Sequence, residues 1–282
     1  MDLPYHCQQL EFMQSLASHR LDFLNPIFRL FHYVDSIYFV LILVPLVWVG
    51  FSYRWGIRLF YGFLLNSMLN YFAKSVFCWP RPSTDLPEIG MFHLSSYGFP
   101  SGGAQTALFI GGLIIYYWKN RWAWPVGLSY ILLFSFTRLY LGVHYPIDIL
   151  GGWVIGLVLL FLFIHCIDPI ERFLHRKGLN FSFILSEALP LALLLVTKKS
   201  VYQRYDAMAI GLGVYLSLKY GLYLKAPKTV AIGLLRGSIA VAGIYVCFFV
   251  TKALPHPISY GMTTLWLCLF ASPVVKWVIR KP

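Results

Sequence analysis

Three stretches of this sequence hold residue types suited to phosphate chemistry. The first runs from Lys74 to Arg81-Pro82, the second is Pro100-Ser101-Gly102-Gly103, and the third is Thr137-Arg138 through His144 to Asp148. Each adjoins an apolar run. Lys74, Arg81 and Arg138 are cations at the ends of apolar segments, where an unpaired charge is costly and an anion is favoured. Two guanidiniums and an ammonium suit phosphate, which takes bidentate contacts from Arg and a point charge from Lys. Ser101, Gly102 and Gly103 open an apolar helix whose free N–H groups favour an anion, and glycine lets that anion approach closely. Ser101 fits either an N-cap or a donor to a phosphate oxygen, and the sequence leaves both open. His144 and Asp148 are four apart, with Pro146 suited to the first turn of a helix between them. A carboxylate there orients the imidazole, which is the arrangement of a nucleophile and its orienting partner.

The elements that position these residues follow from composition. Of 282 residues, 59% are hydrophobic and 12% charged, against about 25% charged in a soluble domain. This excludes a soluble enzyme, a disordered chain and a collagen-like fibre. It predicts an all-α integral membrane protein of about nine transmembrane helices, a core bundle with extra C-terminal helices. The apolar runs fall near 36–53, 59–78, 102–118, 122–140, 147–167, 179–197, 206–224, 229–250 and 258–279. Residues 1–35 mix Asp22, Arg20 and Arg29 with Phe23, Phe28 and Leu30, a pattern for one or two short helices lying in the bilayer interface. The chain thus divides into an interfacial segment 1–35, a core 36–167 and additional helices 168–282.

The net charge of +12 does not imply nucleic acid, because Lys and Arg collect on the cytoplasmic rim of a membrane protein. Their distribution puts Arg54, Arg58, Lys119 and Arg121 inside and the three phosphate-type stretches outside. The run Lys198-Lys199 with Arg204 goes against this assignment. The five cysteines show no zinc spacing. Glu187, Lys219 and Arg236 fall within the sixth to eighth spans at similar depth, which predicts a buried cluster with Glu187 paired to one of the cations.

The three stretches resemble the motifs of the type 2 phosphatidic acid phosphatase superfamily. Lys74 to Pro82 matches the first motif, and Arg138 through His144 to Asp148 matches the third, with Thr137 in place of Ser. The context Leu139 to Gly152 is similar to bacterial lipid phosphatases and sphingosine-phosphate phosphatases. The resemblance implies that His144 forms a phosphohistidine, that Asp148 orients it, and that Lys74, Arg81, Ser101, Gly102 and Arg138 hold the phosphate. It implies no metal and no cofactor. The implied partner is a phosphorylated lipid in the bilayer. The implied place is a bacterial inner membrane or the endoplasmic reticulum, with the site facing periplasm or lumen.

One position departs from the pattern. Gly103 stands where the family's second motif has the histidine that protonates the leaving group. Three readings follow: an engineered or recent replacement, a substrate such as a diphosphate that needs no acid, or a non-catalytic relative. His93 is a nearby histidine that offers itself as a substitute. A sugar phosphatase similar to glucose-6-phosphatase, a phospholipid-binding protein without turnover, and a transporter are the alternatives.

Overall fold

The computed structural model describes residues 6–34, 37–180, 182–184, 187, 211–254 and 256–279. All regular structure among them is helical. The helices are α1 (His6–Ser18), α2 (Asn25–Val34), α3 (Ile37–Pro45), α4 (Tyr53–Phe77), α5 (Pro82–Asp85), α6 (Gly102–Tyr117), α7 (Ala123–Tyr140), α8 (Pro146–Lys177), α9 (Val230–Thr251), α10 (His256–Leu265) and α11 (Ala271–Ile279). Wider π turns at Leu46–Phe51 and Trp266–Phe270 extend α3 and join α10 to α11. Three helical stretches are long and apolar enough to cross a membrane: Pro146–Lys177, Val230–Thr251 and Gly261–Ile279. The fold is the all-α integral membrane class that the composition predicts.

The count of nine spans extends beyond the described residues, since the sixth, 179–197, lies mostly outside them, as does the run Lys198-Lys199 with Arg204. The seventh, 206–224, is helical over 211–219 and then turns at Gly221, whose φ is +64°. A left-handed residue at a helix end suits glycine and terminates the helix.

The chain divides into two compact units. One comprises residues 1–39 and 62–166, the other 40–61 and 167–282. In the first unit α8 shows why the sequence reads as lipid-exposed. Leu150, Val154, Leu157, Val158, Phe161 and Leu162 form an exposed apolar face, while Gly152, Gly156, Leu159 and Phe163 are buried on the opposite side. This reverses the pattern of a soluble helix. Gly152 and Gly156, four apart, let α8 approach α6 closely. A Cβ on Gly152 would lie 2.5 Å from the Ser101 carbonyl oxygen, and one on Gly156 would lie 2.7 Å from that of Gln105. Small residues at this spacing are how helices pack without a hydrophobic driving force.

Helices α1 and α2 lie within residues 1–35, for which the sequence predicts one or two short helices. They pack on the loops that carry the phosphate-type residues. Met13 joins Ile89 and Tyr145 in one buried cluster, and Phe28 joins Tyr140, Leu141 and Val143 in another. The Tyr140 hydroxyl donates to Asn25 Oδ1 (2.8 Å), and Arg20 donates to the Ile89 carbonyl oxygen (2.7 Å).

In the second unit the π turn packs on α9, where a Cβ on Gly50 would lie 2.6 Å from the Gly233 carbonyl oxygen. Arg54 and Arg58 do not stand as free rim cations. Arg54 Nε donates to Glu171 (2.7 Å), Arg58 Nε donates to the same carboxylate (2.5 Å), and Arg58 also pairs with Asp168. The predicted Glu187 pair is absent among the described residues. Glu187 Oε1 is buried without a partner, Arg236 donates to the Lys225 carbonyl oxygen (3.0 Å), and Lys219 lies over the rings of Tyr215 and Tyr220. Arg236 bonds one loop carbonyl oxygen while its Nε is buried without a hydrogen bond, so equal depth alone did not make a pair.

Candidate active site

Every residue of the three stretches lies in the first unit, and the fold brings them to one place. Lys74 sits in the last turn of α4. Arg81 precedes α5, Ser101 caps α6, Arg138 lies in the last turn of α7, and Asp148 lies in the first turn of α8. The loop Gly142–Tyr145 delivers His144 between the last two.

His144 and Asp148 are both buried. His144 Nδ1 lies 3.1 Å from Asp148 Oδ2, and the same oxygen accepts from the Tyr145 backbone N–H (2.9 Å). Arg81 Nη1 donates to His144 Nε2 (3.2 Å). A guanidinium only donates. The imidazole therefore carries its hydrogen on Nδ1, toward Asp148, and presents the lone pair of Nε2 toward the cations. Burial holds the His144 imidazole well below its usual pKa of 6.5, and the charges of Arg81, Lys74 and Arg138 add to the effect. The ring is neutral at neutral pH, which is the protonation state of a nucleophile.

Lys74 and Arg81 are held mainly by backbone oxygens, and Arg138 bonds a histidine nitrogen. Arg81 Nε donates to the Ser96 carbonyl oxygen (2.6 Å), Nη2 to Ser96 Oγ (2.9 Å) and Nη1 to the Val143 carbonyl oxygen (2.7 Å). Burial lowers its pKa to about 10; Asp148 opposes that shift and Arg138 adds to it. Arg81 remains charged at neutral pH all the same. Lys74 donates to the carbonyl oxygens of Tyr97 and, at 3.0 Å, Gly98. Arg138 Nη1 donates to His32 Nδ1 (2.8 Å). Three cations thus converge around one imidazole, an arrangement that favours a multiply charged anion.

Ser101 is the N-cap of α6. Its Oγ accepts from the Ala104 N–H (3.4 Å), and its own N–H donates to the Asp148 carbonyl oxygen (2.9 Å), which ties the start of α6 to the start of α8. Gly98 fits where a side chain does not. A Cβ there would lie 2.5 Å from the Pro80 carbonyl oxygen and 3.1 Å from Asp148 Oδ2. Gly102 and Gly103 follow in the first turn, half-buried. His93 is exposed and has no hydrogen bond to the cluster among the described residues.

Two groups of residues escaped the sequence reading. Asn66, Asn70 and Lys74 are spaced by four along α4 and so share one face of it. Asn70 Nδ2 donates to the Pro100 carbonyl oxygen (3.1 Å) and to Gln105 Oε1 (2.9 Å). Gln105 Nε2 in turn donates to Asn66 Oδ1 (3.0 Å), and Asn66 Nδ2 donates to Thr106 Oγ1 (2.8 Å). This buried ladder sets α4 against α6 and so places Lys74 beside the Ser101 turn. Three polar residues at helical spacing inside an apolar run are the signal that points to it. The second group is Ser96 and His32, which lie in loop and N-terminal sequence that carries no motif.

Comparison with known proteins adds an independent line. Residues 55–172 match the model of the PAP2 superfamily. The chain is 29% identical over 109 residues to an undecaprenyl-diphosphatase of Sulfolobus acidocaldarius, covering 38% of this chain and 52% of that protein. It is 29% identical over 125 residues to sphingosine-1-phosphate phosphatase 1 of Rattus norvegicus, covering 42% of this chain and 29% of that protein. The chain therefore spans about half the length of the first relative and under a third of the second. A crystal structure of a transmembrane PAP2-type phosphatidylglycerolphosphate phosphatase from Bacillus subtilis superposes with a TM-score of 0.52 at 25% identity, over 60% of this chain and 89% of that one.

Proposed function

We propose, on the premise that residues 55–172 belong to the PAP2 superfamily, that this chain is a membrane phosphatase that hydrolyses a lipid phosphate or diphosphate through a phosphohistidine on His144. One observation carries the reading. His144 is held by Asp148 at Nδ1 and faces Arg81 with the lone pair of Nε2.

In the first step the Nε2 lone pair attacks phosphorus in line with the leaving oxygen. The N–P bond forms as the P–O bond breaks, and its electron pair leaves on that oxygen. Charge on the equatorial oxygens is met by Lys74, Arg81 and Arg138, with the Ser101 hydroxyl and the N–H groups of Gly102 and Gly103 as donors at the helix start. The imidazolium that forms keeps its Nδ1 hydrogen on Asp148. In the second step water attacks phosphorus, the N–P bond breaks with its electron pair returning to Nε2, and both water protons leave on the released phosphate. The cations supply the charge stabilisation, so the cycle requires no metal.

Gly103 bears on the leaving group. No imidazole from this position protonates an alkoxide, and general acid catalysis is worth about 10²–10⁴-fold. A diphosphate expels phosphate, a weak base that needs no proton. The site as it stands favours a diphosphate over a simple monoester. The core would be 36–167, with 1–35 in the interface and 168–282 as added helices; the site would open at the extracytoplasmic face.

The test is phosphate release from purified protein in lipid, given undecaprenyl diphosphate, sphingosine-1-phosphate or phosphatidylglycerophosphate. Turnover of at least one, lost in His144→Ala, supports the reading. Retained phosphate affinity with no turnover of any of the three would establish a phospholipid binder instead, the second reading that Gly103 favours.

A further inference from the structure

We propose that His32, which lies on α2 and outside the family segment, is a positioning residue for the phosphate site: it fixes the Arg138 guanidinium in the orientation that receives the phosphoryl group. This rests on the phosphatase reading above and extends it to a helix that no motif covers.

Arg138 Nη1 donates to His32 Nδ1 at 2.8 Å, across 106 residues of sequence. Arginine stays protonated, so Nδ1 is the acceptor and the imidazole hydrogen sits on Nε2. The ring itself is clamped. Phe92 stacks on it with centroids 4.3 Å apart and planes 21° apart, and Tyr33 meets it edge-on at 5.8 Å. Helix α2 is fixed in turn to the end of α7. Phe28 stacks on Tyr140 at 4.0 Å, and Asn25 Oδ1 accepts from the Tyr140 hydroxyl. Tyr140 is two residues past Arg138, so the clamp and the guanidinium share one helical turn.

A guanidinium on a long side chain has many orientations, and holding one of them lowers the entropic cost of meeting a phosphoryl group. Among the described residues, the charged and titratable groups that face His32 are Arg138 from α7, Arg81 from the loop after α4, and Tyr33 on its own helix. Burial first, then Arg138 and Arg81, lower its pKa to about 4. His32 thus stays a neutral acceptor throughout the neutral range. It takes no proton from the reaction and gives none, so it does not replace the acid missing at Gly103.

The test compares full-length wild type, His32→Ala and His32→Asn in lipid nanodiscs; the Asn carbonyl keeps an acceptor near Nδ1. Two quantities are read: the Kd for inorganic phosphate by ³¹P NMR, and kcat and KM on a lipid phosphate or diphosphate. Thermal unfolding of each variant is recorded beside them. The expected result is a ~10-fold weaker phosphate Kd and a ~10²-fold lower kcat/KM in His32→Ala, the scale of a small misplacement at a reacting centre. His32→Asn should recover most of both. A packing role alone would lower the melting temperature and leave the Kd and KM of the folded fraction unchanged. Wild-type Kd and kcat/KM in folded His32→Ala would overturn the assignment and leave the phosphatase reading intact. Phosphate binding that depends on His32, with no turnover of any lipid phosphate or diphosphate, would overturn the phosphatase reading and leave this one.

Discussion

Arg81 Nη1 lies 3.2 Å from His144 Nε2, so a guanidinium stands on the face of the imidazole from which the proposed nucleophile would attack phosphorus. Arg81 also donates to Ser96 and to the Val143 carbonyl oxygen, two contacts on the loops that frame the imidazole. On the proposed mechanism a phosphoryl group entering the site meets both residues at once. Arg81→Lys should keep a cation but lose the planar fork, and we expect kcat/KM to drop by about 10–10²-fold, the loss falling mainly on kcat. Steady-state kinetics on the best lipid substrate reads this directly, and an unchanged kcat would place Arg81 outside the transition state.

Asp148→Asn tests the orienting role. The amide can present N–H rather than an acceptor to Nδ1, which disfavours the tautomer with a free Nε2 lone pair. By analogy with the serine protease triad, where this change costs ~10⁴-fold, a loss of at least ~10²-fold in kcat is expected. Near-normal phosphate affinity should remain, since the cations are untouched. Measured kcat close to wild type would mean that the histidine needs no orienter.

Gly103→His places an imidazole in the first turn of α6. Phosphate release from a monoester should rise by about 10²–10⁴-fold, the worth of a general acid, while release from a diphosphate should change little. A monoester-to-diphosphate ratio that does not move would mean that an imidazole at position 103 supplies no acid to the leaving group.

Asn70→Leu probes the ladder between α4 and α6. It leaves Gln105 Oε1 and the Pro100 carbonyl oxygen without this donor. Each unsatisfied buried group costs about 1–3 kcal/mol. The melting temperature should fall and activity with it, because Lys74 lies one turn along the same face. A variant with unaltered melting temperature and unaltered turnover would show that the ladder is dispensable.

The His32 pKa gives a pH dependence of stability. Its folded value of about 4 lies below the ordinary 6.5. Between these values the unfolded chain binds the proton and the folded chain does not, so stability rises with pH across that window. Acidification from about pH 6.5 toward 4 should therefore lower the melting temperature. The fall should be smaller in His32→Asn, which has nothing to titrate. Because His32 is only half-buried, solvent screening makes the difference modest. Superimposable pH profiles for the two proteins would contradict the burial of a neutral His32.

Much of the site was legible because its chemistry is local. Lys74 and Arg81 flank one helix end, and His144 and Asp148 are four apart around a proline that starts a helix. Local spacing fixed those relations before any packing was known. Other features depend on long-range packing and have no local signature. His32 meets Arg138 only because Phe28 and Asn25 dock on Tyr140, and Ser96 meets Arg81 only through a loop. The Glu187 expectation failed for the same reason: depth along a span says nothing of rotation about the helix axis, and Arg236 found a carbonyl instead. The pairing of Arg54 and Arg58 with Asp168 and Glu171 was likewise invisible to a count of rim charges.

The proposed phosphohistidine on His144 is the step on which the rest of the account depends. Rapid acid-free quenching of a reaction with ³²P-labelled lipid diphosphate, followed by peptide mapping, reads it most directly. Label should appear on the peptide that contains His144, survive alkali, be lost in acid, and be absent in His144→Ala although Lys74, Arg81 and Arg138 still bind phosphate. Undiminished phosphate release by His144→Ala, or label on any other residue, would show that His144 is not the nucleophile.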